Sequence, residues 1–227
     1  IRTPMHGILS FSKFGTDKIE KSTPDKLLHY FKQINQSGQR LLILLDDILD
    51  LSKMQVGKMT YEMGYSNIQE IVNQALVELK PAASEKKIDI ILRQSMISTR
   101  IKCDAYRIGQ VVRNLLSNAI KFTSSGRRIS VFFDSSILKL GKPSEDKKKE
   151  PAISVSIKDE GIGIPEKEIE YVFEKFTQSS KTKTGAGGTG LGLAICKEII
   201  EYHSGKIFVK NNDQTGVTFS FILPRRV

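Results

Sequence analysis

The amino-acid sequence predicts an α+β protein in which a helical hairpin precedes an α/β sandwich. Two patterns support this prediction. Apolar residues recur at helical spacing across residues 1–54, with a predicted helix end or bend at Gly15–Asp17. After about residue 63, helical segments alternate with short runs rich in Ile, Val and Phe, which are typical of strands. We therefore expect the hairpin in residues 1–62 and the sandwich in residues 63–227.

The composition of the 227-residue chain is that of a globular protein, with 39% apolar and 26% charged residues. No apolar run reaches the length of a membrane span and no signal peptide opens the sequence, so no membrane contact is predicted for this stretch. The two cysteines predict buried thiols in a reducing compartment, and the three histidines lack metal-ligand spacing.

The formal charge of +10 comes largely from lysine-rich segments at residues 139–149 and 175–183. Nucleic acid is one class of partner for such a charge. However, neither interleaved aromatic residues nor a recognition-helix pattern accompanies the lysines. We therefore expect no nucleic acid partner and interpret the charge as a solvated surface, which also suits a small polyanionic ligand.

The hairpin begins with a helix over Ile1–Phe14, with Pro4 near its start. Ser22–Asp25 is a helix-start pattern, and a long second helix is predicted to run to about Met54. Its apolar residues alternate steps of three and four, and additional leucines widen the stripe. The heptad positions are Leu27, Phe31, Ile34, Gly38, Leu41, Leu45, Ile48 and Ser52, flanked by Leu28, Leu42 and Leu49. Because two helices cannot bury so broad a stripe, we expect a homodimer with a four-helix bundle. The alternative is that the stripe packs on the chain's own globular domain.

The second region follows a linker at Gly57–Tyr65 and alternates helices with strands. We predict helices at 68–84, 104–122 and 191–202, and strands at 88–92, 129–133, 153–157, 206–210 and 217–223. The lysine-rich segment between the second and third of these strands is expected to be a mobile hairpin loop.

Three polar residues share one face of the helix predicted at 104–122. Asn114, Asn118 and Lys121 are separated by four and three residues, beside an apolar face. An amide oxygen is a ligand suited to Mg²⁺, and an ammonium group suits a phosphate. The alternative is an ordinary amphipathic helix whose polar residues face water.

The third strand continues directly into Asp159–Pro165, which contains Gly161 and Gly163. A carboxylate at a strand end can accept a hydrogen bond from the exocyclic amine of a purine, and the glycines let backbone approach a flat ligand. The alternative is a glycine-rich turn with a solvated Asp159.

A second glycine-rich segment, Gly185–Leu193, opens a predicted helix and can cradle phosphates with its backbone N–H groups. Its spacing also fits the dinucleotide fingerprint, but no strand precedes it, and the P-loop pattern is absent. Between the two glycine segments, Phe173 and Phe176 are interpreted as the anchor of a lid loop. The alternative is a short helix that buries both rings.

In their order and spacing, these motifs resemble those of the sensor histidine kinases over essentially the whole chain. Asn114–Thr123 resembles the N box, Asp159–Gly163 the G1 box, Phe173–Phe176 the F box and Gly185–Leu193 the G2 box. Ile1–Ile8 resembles the end of the H box, with a Met-His-Gly-Ile run similar to that of hybrid kinases.

The resemblance implies a histidine-phosphotransfer and dimerisation hairpin followed by an ATP-binding domain of the GHKL type, with ATP and Mg²⁺ as cofactors. Asn118 would hold Mg²⁺, Asn114 and Lys121 would act at the phosphates, and Asp159 would bind the adenine amine. The remaining nucleotide-binding residues implied are Gly161, Gly163, Phe176, Gly187, Gly188, Thr189, Gly190, Leu191 and Gly192.

In this family the phosphoaccepting histidine and an acid directly precede the Ile-Arg-Thr-Pro tetrapeptide, so the acceptor is expected two residues before Ile1. His6 lies seven residues from that position, roughly 10 Å along a helix axis. We therefore expect His6 not to be the acceptor. Thr3 falls where many family members position the water that dephosphorylates the partner, although it can instead pack on the helix face.

The implied activity is autophosphorylation on histidine and transfer to an Asp of a response-regulator receiver domain, with phosphatase activity toward the same partner. The fragment is expected to be the cytoplasmic portion of a membrane-anchored sensor. One rival is an ATPase resembling gyrase, Hsp90 or MutL. Those enzymes use a Glu one turn before the metal-binding Asn, where this chain has Asn114, which cannot take a proton. The other rival is a dimeric scaffold without enzymatic activity.

Overall fold

The computed structural model describes residues 1–140, 148–182 and 188–225. The chain forms two compact units, Ile1–Met59 and Thr60–Val227, so residues 60–62, which we assigned to the hairpin, belong to the second unit. The phosphotransfer and dimerisation function of the first region and the ATP-binding function of the second remain predictions. Within the described ranges, none of the helices combines the length and the apolar character that a membrane crossing requires.

The first unit is a hairpin of two helices, α1 (Arg2–Asp17) and α2 (Pro24–Gln55), joined through a short 3-10 turn at Ile19–Lys21. Pro24 occupies the first turn of α2, as predicted, where its missing N–H costs no hydrogen bond. Helix α1 ends at Asp17, within the segment at residues 15–17 where we predicted an end or a bend. In this last turn, Thr16 Oγ1 donates to the carbonyl of Ser12 over 2.9 Å.

Helix α2 carries two parallel apolar seams rather than the single seam that we predicted. The inner seam is buried or half-buried and includes Tyr30, which contacts the rings of Phe11 and Phe14 on α1. Its members are Leu27, Tyr30, Ile34, Ser37, Leu41, Leu44, Ile48 and Leu51. The outer seam is exposed and consists of Leu28, Phe31, Leu42, Leu45 and Leu49. The predicted heptad positions are divided between these seams: Leu27, Ile34, Leu41 and Ile48 lie in the inner one, Phe31 and Leu45 lie at the exposed positions, and Gly38 and Ser52 belong to neither seam.

The second unit contains a five-stranded sheet and a separate pair of strands. In the large sheet the order is β2–β4–β5–β7–β6; β2 runs parallel to β4, and the other neighbours are antiparallel. The separate antiparallel pair is β1–β3. The strands are β1 (Gly64–Asn67), β2 (Asp89–Leu92), β3 (Arg100–Cys103), β4 (Arg128–Leu140), β5 (Lys148–Asp159), β6 (Lys206–Asn211) and β7 (Val217–Pro224).

Three helices, α3 (Ile68–Glu85), α4 (Ala105–Phe122) and α5 (Gly192–Tyr202), pack with the large sheet to form the core of the unit. One row of sheet residues, Val131, Ile157, Phe219 and Val209, pairs across four strands and is buried. Helices α4 and α5 bury the apolar sides that their spacing predicts. The predicted helical layer on a sheet is confirmed.

Two features of the second unit differ from the predicted elements. The strands β4 and β5 extend well beyond the predicted residues 129–133 and 153–157, so both ends of the lysine-rich segment continue the hairpin ladder. Residues 141–147 lie outside the described part of the chain. The short strands β1 and β3 were not predicted, because their pairing joins segments separated by more than thirty residues and leaves no local pattern.

Candidate functional site

Helix α4 presents the predicted polar face. Its N-terminus is fixed by buried Asp104, whose Oδ1 accepts a hydrogen bond from the Arg107 N–H over 3.0 Å. Leu115 and other apolar residues are fully buried on one side of the helix. Asn114 and Asn118 are half-buried on another side, as is Lys121 one turn further on. The burial pattern therefore aligns the three polar side chains, as their spacing predicts.

The C-terminus of α4 is held by Lys86, a residue that sequence reasoning missed. Its Nζ donates to the carbonyls of Ile120 and Lys121 over 2.8 and 2.7 Å, and to that of Thr123 over 3.4 Å. A cation at this end of a helix satisfies the last carbonyls and complements the helix dipole. Lys86 thus fixes the turn from which the Lys121 side chain extends. The sequence gives no local signal of this contact.

Asp159 lies at the end of β5 and is almost fully buried. Its Oδ1 accepts hydrogen bonds from the N–H groups of Gly161 and Val217 over 2.8 and 3.2 Å. Burial raises the pKa of the Asp159 carboxyl above its usual value, and these two hydrogen bonds act in the opposite direction. The alternative of a solvated Asp159 is therefore wrong; the carboxyl is an oriented group inside the unit.

The glycines after Asp159 are required by close approaches. A Cβ at Gly161 would lie 2.7 Å from the carbonyl oxygen of Phe122, at the end of α4. Gly163 has a φ of +71°, which side chains rarely adopt. The first glycine segment is thus packed against the last turn of the helix that carries Lys121.

The second glycine segment meets the polar face of α4. A Cβ at Gly188 would lie 3.4 Å from Lys121 Nζ, and Asn114 Nδ2 donates to the carbonyl of Gly192 over 3.4 Å. The Leu191 N–H donates to Thr189 Oγ1 over 3.0 Å, and the Leu191 side chain is fully buried. The structure therefore brings this segment to both ends of the row Asn114–Asn118–Lys121. Gly187 lies outside the described residues.

The aromatic segment between the glycine boxes is tied to the second one. The Phe176 N–H donates to the carbonyl of Gly190 over 2.9 Å, and both residues have positive φ values of 61° and 70°. The ring of Phe173 lies edge-on to that of Phe219, at 6.2 Å between centroids. The ring of Phe176 is 68% exposed, so the alternative of a helix that buries both rings is wrong.

The turn between β6 and β7 supplies further contacts that sequence reasoning missed. Asn212 Nδ2 donates to the backbone carbonyl of Asp159 over 2.8 Å, and Asn211 bonds to the backbone of Ile164. Gly216 has a φ of +79° and lies so close to Asp159 that a Cβ would overlap its backbone carbonyl. The clustered asparagines and glycine of this turn were the available signal.

The site residue predicted in the first unit, Thr3, lies in the first turn of α1 with its side chain exposed. His6, one turn later in the same helix, is exposed as well. Neither side chain is buried against α2 within this chain.

The second unit therefore brings a buried carboxylate, two amides, an ammonium group and two glycine segments together around helix α4. Such groups suit a flat base with an exocyclic amine at one end and phosphates at the other. Among the described residues, no cluster of three or more His, Cys, Asp or Glu side chains can hold a metal ion.

Comparison with known protein families gives two matches that together cover most of the chain. Residues 103–227 match the model of the histidine kinase-, DNA gyrase B- and HSP90-like ATPases. Residues 1–57 match the model of the His Kinase A (phospho-acceptor) domain.

Curated relatives match over nearly the full chain. The autoinducer 2 sensor kinase/phosphatase LuxQ of Vibrio vulnificus is 34% identical over 99% of this chain. Histidine kinase 5 of Arabidopsis thaliana is 33% identical over 100% of it. The chain spans about a quarter of the length of these relatives, 25% and 26% respectively.

Solved structures resemble both units. The histidine kinase ThkA in complex with the response regulator protein TrrA matches 99% of this chain and 58% of its own, with 28% identity and a TM-score of 0.72. The catalytic domain of ThkA alone matches 72% of this chain and 96% of its own, with 28% identity and a TM-score of 0.58.

Proposed function

The chain belongs to the histidine kinases, and we propose that it is the ATP-dependent core that phosphorylates a histidine and passes the phosphoryl group to an Asp of a response regulator. The observation that carries this proposal is the polar face of α4 against residues 188–192. Asn114 and Lys121 reach the two ends of that segment, and Asn118 lies between them.

The base of ATP would lie against the loop after β5. Asp159 is buried and already oriented by two backbone donors, so its carboxylate can accept a hydrogen bond from the adenine amine. Gly161 lets the loop pack directly against the last turn of α4, and the positive φ of Gly163 lets the loop turn. The exposed ring of Phe176, bonded through its backbone to Gly190, is the lid contact.

The phosphates of ATP would lie between α4 and the second glycine segment, where Lys121 supplies positive charge and residues 188–192 supply backbone groups. Asn118 fits a Mg²⁺ ligand, because its half-buried amide makes no hydrogen bond within the described part of the chain. Mg²⁺ bound there would offset the charge of the transferred phosphoryl group. We include Gly187, Gly188, Thr189, Gly190, Leu191 and Gly192 among the residues that bind the nucleotide.

Transfer to a nucleophile is favoured over hydrolysis. The ATPases of this superfamily need a general base one turn before the metal-binding amide, and this position is Asn114, whose amide bonds to the Gly192 carbonyl. An amide cannot accept a proton from water at neutral pH. A neutral imidazole nitrogen would instead attack the γ-phosphorus in line, forming the N–P bond as the bond to the ADP oxygen breaks.

The partners proposed for the whole protein are a second copy of this chain and a receiver domain. The exposed outer seam of α2 supports the homodimer. The complex of ThkA with the response regulator TrrA supports a receiver as the second partner. LuxQ is named a kinase/phosphatase, and Thr3, exposed on α1, is our candidate for positioning water when the chain dephosphorylates such a partner.

The proposal is tested with ATP labelled on the γ-phosphate. A longer chain that includes the two residues before Ile1 should acquire acid-labile label, whereas the chain from Ile1 should bind ATP without being labelled. Label on the shorter chain that disappears in His6→Gln would assign His6 as the acceptor and contradict our placement. Sustained phosphate release without any phosphoprotein would favour the ATPase, and absence of ATP binding would favour the scaffold.

A further inference from the structure

Two neighbouring asparagines at the end of β6, Asn211 and Asn212, hold opposite ends of the loop that follows Asp159. We call this pair the asparagine clamp. Neither residue borders α4 or the second glycine segment through the contacts described above. Their amides instead form hydrogen bonds with backbone groups of the loop that would border a bound base.

Asn211 holds the far end of the loop at Ile164. Its Oδ1 accepts from the Ile164 N–H over 3.0 Å, and its Nδ2 donates to the Ile164 carbonyl over 2.7 Å. The same Nδ2 donates to Glu166 Oε1 over 2.9 Å. Only a carboxamide offers both a donor and an acceptor in this arrangement. An aspartate would place a second acceptor against the carbonyl of Ile164 and the carboxylate of Glu166.

Asn212 holds the near end. Its Nδ2 donates to the carbonyls of Asp159 and Thr215 over 2.8 and 3.1 Å, and its Oδ1 accepts from Thr218 Oγ1 over 2.6 Å. The amide therefore joins the residue that carries the base-binding carboxylate to the β6–β7 turn. Both polar atoms of the Asn212 side chain therefore form hydrogen bonds.

The loop between these two anchors needs such support. It contains Gly161 and Gly163, whose backbone freedom is large, and Ile162 between them is exposed. One further side chain, Lys181, donates to the Ile162 carbonyl over 3.0 Å. Gly163 lies directly beside the clamp, since a Cβ there would be 3.4 Å from Asn211 Oδ1. The clamp is thus the main polar restraint on the loop within the described residues.

We propose that the asparagine clamp sets base selectivity by fixing the angle between the Asp159 carboxylate and the loop that borders the base. This inference rests on the proposed function of the site. A purine with an amine at its six-position donates to the carboxylate, whereas one with a carbonyl there meets repulsion. Both effects depend on a rigid loop. If the loop moves, the carboxylate loses its hydrogen bond to the amine of an adenine base, and it can also move away from the carbonyl of a guanine base.

The test is to measure calorimetric affinities for Mg²⁺–ATP and Mg²⁺–GTP in wild-type, Asn211→Ala and Asn211→Asp chains. We expect ATP affinity to fall about tenfold in Asn211→Ala and further in Asn211→Asp, where acceptor groups repel. GTP affinity should change by less than about twofold, so the ratio of the two affinities falls. Asn73→Asp, at an exposed position of α3, is the control with the same change of charge and should keep the wild-type ratio.

The outcomes separate the clamp from the site itself. The selectivity role would be overturned if the ratio of ATP affinity to GTP affinity were unchanged in the Asn211 variants. Equal losses of both affinities, with a lower melting temperature in the absence of nucleotide, would be such a result. A reduced ratio in Asn73→Asp would assign the effect to charge alone and overturn it as well. If the wild-type chain binds no ATP, the proposed function fails before the clamp is tested.

Discussion

The two units of the chain bury their apolar residues to different degrees. In the first unit, α1 buries no residue fully and α2 buries only Tyr30, Ser37 and Leu51. In the second unit, large side chains such as Phe221 and Leu115 are completely enclosed. The second unit therefore forms around a core of its own, whereas the first leaves an apolar seam exposed.

The same contrast applies to the residues proposed to act. Asp159, Asn211 and Asn212 are held by hydrogen bonds within the second unit before any ligand arrives. Thr3 and His6 lie exposed on α1. The residues of the proposed nucleotide site are therefore held by hydrogen bonds of their own unit, whereas the side chains proposed to act in the first unit are exposed.

The largest effect is expected from breaking the outer seam of α2. Replacing Leu42 and Leu45 together by Asp should convert the dimer into a monomer, because uncompensated carboxylates at the interface cost on the order of 5 kcal/mol. Sedimentation equilibrium checks this result. The double variant Gln36→Asp and Gln39→Asp adds the same negative charge at exposed polar positions and should leave the dimer intact. A wild-type chain that is strictly monomeric at high concentration would contradict the need for a partner.

An intermediate effect is expected from one glycine-to-alanine change in each unit. Gly161→Ala places a Cβ against the Phe122 carbonyl, so the loop must move and ATP affinity should fall about tenfold or more. Gly15→Ala lies in α1 with nothing near the added carbon and should stabilise that helix by about 0.5–1 kcal/mol. Calorimetry and thermal melting measure the two effects. Equal ATP affinity in both variants would contradict the close packing at Gly161.

The smallest effect concerns pH and buried His203 in the second unit. Its Nε2 accepts from the Asp104 N–H over 2.9 Å, and the rings of Tyr61 and Tyr202 lie beside it. Burial lowers the pKa of His203 below its usual 6.5, while the Ile199 carbonyl and the Asp104 carboxylate act in the opposite direction. The unfolded state therefore binds the proton first. Stability is fully present above pH 6.5 and is lost as the pH falls, by less than ~1.4 kcal/mol per pH unit.

Hydrogen exchange of the α5 amides, corrected for intrinsic rates, measures this loss between pH 7.5 and 5.5. His203→Gln should remove the contribution of His203 to this pH dependence. The raised pKa of Asp159 acts in the other direction, because its protonation on acidification relieves a cost of burial. The variant retains Asp159, so the comparison cancels that contribution. Equal pH dependence in both chains would show that His203 does not titrate in this range.

Local sequence patterns predicted the parts of the fold that depend on neighbours in the chain. The spacing of Asn114, Asn118 and Lys121 placed them on one face of the helix predicted at 104–122, which forms as α4. Asp159 was placed at a strand end for the same reason. Such features follow from helix and strand periodicity alone.

The remaining features depend on contacts between distant segments. Lys86 caps a helix that ends more than thirty residues later, and Asn212 bonds to Asp159 across the sheet. The positive φ of Phe176 is set by its contact with Gly190 rather than by its own residue type. No periodicity encodes these pairs, so the sequence showed the chemical groups of the site but not the residues that orient them.

Calorimetric titration of the wild-type and Asn118→Ala chains with Mg²⁺–ATP tests the central claim most directly, since Asn118 is the amide proposed to hold the metal on the phosphates. We predict saturable binding to the wild-type chain and none detectable in Asn118→Ala, with unchanged circular dichroism. Asn73→Ala, at an exposed position of α3, should bind as the wild-type chain does. Unchanged affinity in Asn118→Ala would contradict the site that we describe.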